Sequence, residues 1–208
     1  DAFTVGTGQW PALEFDYYGF PEHTYRLDFA PPGSPGLARR VRKLLDAAGF
    51  ATAEDAEHGW DHGVFVPLKL VTPDADIPVV QLSLRADLDP EAHLAAGRAL
   101  RPLRDEGVMI VGSGMSWHNM RGFSPAFTER SAAFDGWLES AVTDPAGRDA
   151  ALAHWDAAPH AREAHPREEH LLPLMVAAGA ASGEPAVVAF RDTVMDVVVS
   201  AVEFGRAI

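Results

Sequence analysis

Val108-Met109-Ile110-Val111-Gly112-Ser113-Gly114-Met115-Ser116-Trp117-His118-Asn119-Met120-Arg121 is the stretch on which fold and chemistry both turn. Its first four residues are apolar and mostly β-branched, the pattern of a buried strand. Gly112 and Gly114 then allow an abrupt turn, since glycine carries no Cβ. An imidazole, an amide and a guanidinium follow at His118, Asn119 and Arg121. In open α/β sheets, ligands bind just beyond the carboxyl ends of strands. A titratable His delivered there is placed for chemistry. The plain alternative is a His that only caps or packs.

Asp89-Pro90 precedes this stretch and reads as a helix start, with Asp as N-cap and Pro at the first helical position. The helix runs through Leu94, Ala95, Leu100 and Leu103 to Gly107. Before it, Ile77-Pro78-Val79-Val80-Gln81-Leu82-Ser83-Leu84 shows little alternation, as expected of a strand covered on both faces. The order strand, helix, strand predicts an α/β fold with a parallel sheet and right-handed crossovers. Ser34-Pro35 starts an earlier helix, with Leu37, Val41, Leu44, Leu45 and Ala48 at helical spacing and Gly49 as its stop. Residues 50–53 read as a short strand, and residues 64–70 as a short helix or strand. Residues 1–33 are rich in aromatics, Gly and Pro. Tyr17 and Tyr18 lie in a loop there, pinned by its rings, and serve either packing or the lining of a substrate pocket. Beyond Arg121, helices are expected over 131–142, 148–157 and 168–181. A polar loop at 158–167 carries His160 and His165, and closing strands are expected at 185–190 and 194–204.

At 208 residues the chain is expected to form one domain, 1–208. A formal net charge of -13 argues against nucleic acid and anionic membrane surfaces as partners. The chain has no cysteine, which excludes disulfides, thiolate metal sites and cysteine nucleophiles. An intracellular, cytoplasmic setting is the expectation. No apolar run approaches the ~20 residues of a membrane span. Asp1-Ala2-Phe3-Thr4-Val5 is neither a signal nor a transit peptide and lacks an initiator Met. Residues upstream of Asp1 are expected.

Three of the nine His sit in settings that point to chemistry. His62 follows Asp61, whose carboxylate can orient an imidazole. His118 follows the glycine turn. His170 lies in Pro166-Arg167-Glu168-Glu169-His170-Leu171-Leu172-Pro173, at a helix start. His58 and His62 are four apart, but Gly59 and Gly63 argue against a helical metal clip there. A His set spread over three loops suits one site at a sheet edge. It equally suits three unrelated His with local hydrogen bonds. His23, His93 and His154 read as surface residues. Gly112-Ser113-Gly114 is not the dinucleotide fingerprint, because Trp117 stands at the third glycine position. It is not a nucleophile elbow, because Val111 takes the first, and no P-loop lysine follows.

Together, Tyr18-Gly19-Phe20-Pro21, Asp61-His62-Gly63, Pro73-Asp74-Ala75-Asp76-Ile77-Pro78-Val79-Val80-Gln81-Leu82-Ser83, Gly112-Ser113-Gly114 with His118-Asn119-Met120-Arg121, and Glu169-His170-Leu171-Leu172-Pro173-Leu174 resemble the class III extradiol ring-cleavage dioxygenases of the DOPA-dioxygenase, LigB-like type. The match runs in order over nearly the whole chain. The resemblance implies an αβα sandwich around a mostly parallel sheet, with an N-terminal strand and helix that precede Asp1. It implies one non-haem metal, iron(II) in the active enzyme and often zinc in crystals, and a catechol substrate opened with O2. His170 matches a metal-ligand position, with Glu169 as runner-up. His118 matches an acid/base beside the bound substrate, sometimes counted as a metal neighbour, and His62 another pocket His. Two further metal His are implied upstream of Asp1. Arg121, Trp117, Tyr17 and Tyr18 are candidate substrate contacts, and a homodimer is the default assembly. The rival readings are a non-catalytic binding protein on the same scaffold, without its metal, and a metal-dependent hydrolase using the same His set.

Overall fold

The computed structural model describes residues 1–205, and the chain groups into two compact units, Asp1–Ala86 and Asp87–Ile208. The fold is mixed α/β.

In the first unit β1 (Phe3–Gly6) leads through α1 (Pro35–Ala47) to β2 (Thr52–Asp55). The two strands pair in parallel, with Phe3 opposite Thr52. The parallel strand–helix–strand unit thus lies here and not at residues 77–111, where it was expected; of its parts, the helix start at Ser34-Pro35 and the short strand near residues 50–53 were anticipated, and β1 was not. Ser34 Oγ accepts the Leu37 N–H, and Pro35 opens the helix. Ala38, Val41 and Leu45 form the buried stripe. The exit is a Schellman turn, in which Gly49 N–H reaches Asp46 C=O and Phe50 N–H reaches Leu45 C=O, both at 3.0 Å. Gly49 has φ +85° there, a backbone conformation that glycine tolerates best. Phe3 and Val5 are fully buried, and Phe50 meets Phe3 edge-on at 5.4 Å.

Residues 77–84, expected as a strand, form only isolated bridges, Val5 with Leu82 and Gly33 with Val79. The physical reason lies in the hydrogen bonding. Gly6 N–H donates to Gln81 C=O, but Thr4 N–H donates to the Ser83 hydroxyl instead of the main chain, which interrupts the ladder. Residues 62–71 resolve to helix, α2 (His62–Val71), with Asp61 Oδ1 accepting the Val64 N–H as the cap.

The second unit contains α3 (Pro90–Leu100), α4 (Pro102–Asp105), α5 (Thr128–Thr143), α6 (Arg148–Ala153), α7 (Ala161–Ala164) and α8 (Leu172–Ala181), followed by β3 (Ala186–Val194) and β4 (Val197–Phe204). The two strands form an antiparallel hairpin around Met195 and Asp196, both at positive φ. Helices α3 and α8 pack backbone against backbone. A Cβ on Gly97 would collide with the Val176 carbonyl, and one on Gly179 with the Leu94 carbonyl. His93, expected at the surface, is fully buried on α3, its Nδ1 2.6 Å from the Asp89 carbonyl. The buried face of α3, which also takes in Ala92, Leu94, Ala96, Gly97 and Leu100, is wide enough to include it.

The buried strand expected at residues 108–111 is absent. The segment has no regular secondary structure, joins no sheet, and leaves Met109 82% and Val111 54% exposed. β-Branched composition reports compatibility with a pleated, covered surface and does not supply the partner strand. Among the described residues no helix is long and apolar enough to cross a membrane.

Candidate metal centre

Segment 108–114 passes directly over the start of α8. A Cβ on Gly112 would sit 2.5 Å from the Pro173 carbonyl, and one on Gly114 would collide with the His170 carbonyl. Neither glycine has a positive φ. Contrary to expectation they make no abrupt turn, and their absent side chains instead permit close approach.

That approach leads into a series of rungs between residues 115–119 and residues 163–170. Met115 N–H donates to His170 C=O at 3.0 Å, and His118 N–H to Ala164 C=O at 3.0 Å. Asn119 Nδ2 donates to Glu163 C=O at 2.8 Å, while Asn119 Oδ1 accepts the Arg121 N–H. Glu168 C=O accepts the N–H groups of Leu171 and Leu172, closing a turn that presents Glu169 and His170 just before α8. The helix expected from residue 168 therefore begins at Leu172, and the two acids belong to the turn.

The rungs bring His118, Glu169 and His170 together. One ligand atom from each lies within 4.8 Å of the others, and all three residues are half-buried. The His118 and His170 rings stack with centroids 3.4 Å apart and planes at 20°. Glu169 Oε2 is buried without a hydrogen bond among the described residues, its ion partner Arg167 Nε lying 3.6 Å away. Two imidazoles and an under-satisfied carboxylate suit a divalent transition metal. His170 also lines a groove of about 560 Å³ with Gly112, Gly114, Met115, Leu171 and Ser200.

The other sequence candidates fall as follows. Trp117 is 1% exposed and packs edge-on against Phe127, so its indole faces the core and not a pocket. Arg121 is exposed. Tyr17, Tyr18 and His62 belong to the first unit. Tyr18 is 92% exposed, while the Tyr17 hydroxyl donates to the Thr24 carbonyl at 2.5 Å. His62 caps no helix with its ring. Its Nδ1 lies 2.6 Å from Asp16 Oδ2, and its ring meets Tyr17 edge-on at 6.3 Å. Burial works against ionisation of Asp16, but the main-chain and imidazole donors of His62 outweigh it and hold the carboxyl below its ordinary value. Asp61, whose carboxylate was read as able to orient an imidazole directly or through another group, caps α2 and accepts from Gln81 Nε2 at 2.5 Å.

His165, read from sequence as part of a polar loop, is fully buried between Phe134 and Trp155. Burial drives its pKa down to about 4, against a raising contribution from its hydrogen bond to Ser116. The signal was present in the spacing. Ala158, Ala161, Ala164 and His165 are all buried and recur at helical intervals.

A mixed α/β protein with a His/Glu/His cluster at the start of a helix is, as a class, a candidate metalloenzyme. Comparison with known proteins narrows the class. Residues 4–201 match the family described as the catalytic LigB subunit of aromatic ring-opening dioxygenase. The chain belongs to this family. It is 44% identical over 171 residues to a 4,5-DOPA dioxygenase extradiol of Beta vulgaris, covering 80% of this chain and 63% of that protein. It is 40% identical over 210 residues to a dioxygenase of Hapsidospora irregularis, covering 93% of this chain and 64% of that protein. The chain thus spans a little under two thirds of these relatives. The crystal structure of an uncharacterized protein from Escherichia coli K12 superposes with a TM-score of 0.77 at 29% identity, over 98% of this chain and 81% of that one.

Proposed function

We propose that the polypeptide carrying this chain is an extradiol dioxygenase that opens the ring of a catechol-type substrate with O2 at a non-haem iron(II). The observation that supports this most is the His118–Glu169–His170 cluster in a chain of the ring-opening dioxygenase family. In this reading His170 holds the metal, with Glu169 as the adjacent carboxylate donor. The resemblance adds two imidazoles from upstream of Asp1. The donor set suits iron(II), and zinc is a ready substitute. Bound there, iron supplies Lewis acidity toward the catechol oxygens and the redox capacity that O2 requires.

The chain's own residues do the proton work. A catechol must lose protons to chelate a metal, and a neutral imidazole at His118 accepts one and later returns it. The His118 main chain is held for this by the Ala164 carbonyl. His62 is proposed as a second acid/base group. With Asp16 Oδ2 accepting from Nδ1–H, the neutral ring keeps its Nε2 lone pair for a proton. Arg121, Tyr17 and Tyr18 are proposed substrate contacts. A cytoplasmic location and a single working domain over residues 1–208 are part of the same proposal.

The test is O2 uptake and appearance of a yellow ring-opened semialdehyde when the full-length, iron(II)-loaded polypeptide meets a panel of catechols. One O2 consumed per ring opened is expected. An iron-loaded preparation inert toward the whole panel overturns the reading.

A further inference from the structure

Four rungs tie residues 115–119 to residues 163–170, and one differs in kind. Those at Met115, His118 and Asn119 end on main-chain carbonyls of the second segment. At Ser116 the direction reverses, and the Ser116 carbonyl faces His165 Nε2 at 3.0 Å. A carbonyl can only accept, so Nε2 carries the hydrogen. Nδ1 is then the bare nitrogen, and it has no hydrogen-bond partner among the described residues. The ring is locked by Phe134 at 5.5 Å and Trp155 at 5.9 Å, and Arg162 covers the Trp155 ring at 4.5 Å. Ser116 is held from another direction as well, its hydroxyl accepting the Ser200 N–H of β4 at 2.8 Å.

A buried imidazole with one nitrogen left bare carries a desolvation cost, so its retention in the fold calls for a reason. The ring's Nε2 hydrogen bond fixes the carbonyl two residues before His118, and the main-chain neighbour Ala164 takes the His118 N–H. His165 and Ala164 therefore hold the loop on the two sides of Trp117, the imidazole at Ser116 and the Ala164 carbonyl at His118. We infer that His165 is a positioning residue, whose Nε2–H sets the His118 loop in register with His170 and so assembles the His118–Glu169–His170 cluster. The inference rests on the reading of that cluster as the metal and acid/base centre.

Three substitutions in the full-length polypeptide separate this role from packing. Gln places an amide N–H near the position of Nε2, Asn places one near Nδ1, and Leu has no donor. Zinc affinity by chelator competition, melting temperature and the imidazole ¹H–¹⁵N spectrum of the metal-free protein are measured for each. The expected result is zinc binding weakened about tenfold or more in His165→Asn and His165→Leu, as for other groups that orient ligands. His165→Gln is expected to stay close to wild type, with shifted His118 resonances in Asn and Leu but not in Gln. Equal zinc affinity in all four proteins, or a loss in Gln as large as in Asn, overturns the inference. So does a loss that follows melting temperature alone across the series. If the wild type binds zinc but opens no catechol, while Gln preserves and Asn disturbs the His118 spectrum, the dioxygenase reading falls and the positioning role stands.

Discussion

The imidazoles of His118 and His170 lie face to face, ring centroids 3.4 Å apart with planes 20° from parallel. One ring is delivered by the loop after the glycines and the other by the turn before α8, so two remote segments meet in one pair. The neighbouring carboxylate of Glu169 comes only from the second segment. The two imidazoles can therefore be separated by substitution. His118→Ala is expected to lower kcat about 10²–10⁴-fold, the usual contribution of a positioned acid/base, while most of the metal stays. His170→Ala is expected to lose the metal itself. Metal content by mass spectrometry beside O2 uptake checks both. Full metal and full turnover in both variants would mean the centre lies elsewhere.

Gly114 supports that pairing through what it lacks. A methyl group there would collide with the His170 carbonyl, which also accepts the Met115 N–H. Gly114→Ala must push the turn carrying Glu169 and His170 away from the loop carrying His118. A destabilisation of about 1–3 kcal/mol is expected by denaturant titration, with metal affinity falling alongside it. An Ala variant that keeps wild-type metal affinity would show that the turn tolerates displacement.

Helix pairing gives a sharper contrast between two glycines of the second unit. Gly97→Ala must open the α3–α8 contact, since its Cβ would meet the Val176 carbonyl and lie close to the Ala180 nitrogen. Gly136 sits inside α5, exposed, with nothing within 4 Å of an added Cβ. Gly136→Ala should stabilise by about 0.5–1 kcal/mol, because alanine loses less backbone entropy in a helix. Gly97→Ala should destabilise, by about 1–3 kcal/mol or more. Chemical denaturation of both variants against the parent measures the opposite signs.

Local signals in the sequence were reliable where a residue acts on its own backbone. Ser34-Pro35, Asp89-Pro90 and Gly49 mark helix ends because caps and stops depend on neighbours a few positions away. Residues 108–111 misled for the opposite reason. Their β-branched side chains are suited to a sheet, yet pairing needs another segment alongside, and no sheet includes them among the described residues. Of the candidate site, His118 and His170 were legible as polar residues at element ends, while Glu169 as runner-up donor came only through the family resemblance. Trp117 was not, since an indole beside glycines reads alike whether it lines a pocket or fills the core. For His165 the local signal was only the faint stripe of Ala158, Ala161 and Ala164, because the groups that enclose it and bond it, Phe134, Trp155 and Ser116, come from elsewhere in the chain.

That buried imidazole has a consequence for pH. In the unfolded chain His165 titrates near its ordinary 6.5, whereas burial lowers it to about 4 in the fold, partly opposed by the Ser116 carbonyl. Between those values the unfolded chain binds a proton that the folded one refuses. Stability from this group is fully present above pH 6.5 and is lost as pH falls toward 4. The limiting slope for one proton is about 1.4 kcal/mol per pH unit. His165→Gln has no group to titrate and keeps a donor near Ser116, so its stability should lose this slope while carboxylates such as Asp16 continue to titrate lower down, below 3.8. Urea unfolding at half-unit intervals from pH 7.5 to pH 4 on both proteins measures the difference. Parallel stability curves for the two would show that the proton taken up on unfolding belongs to another residue.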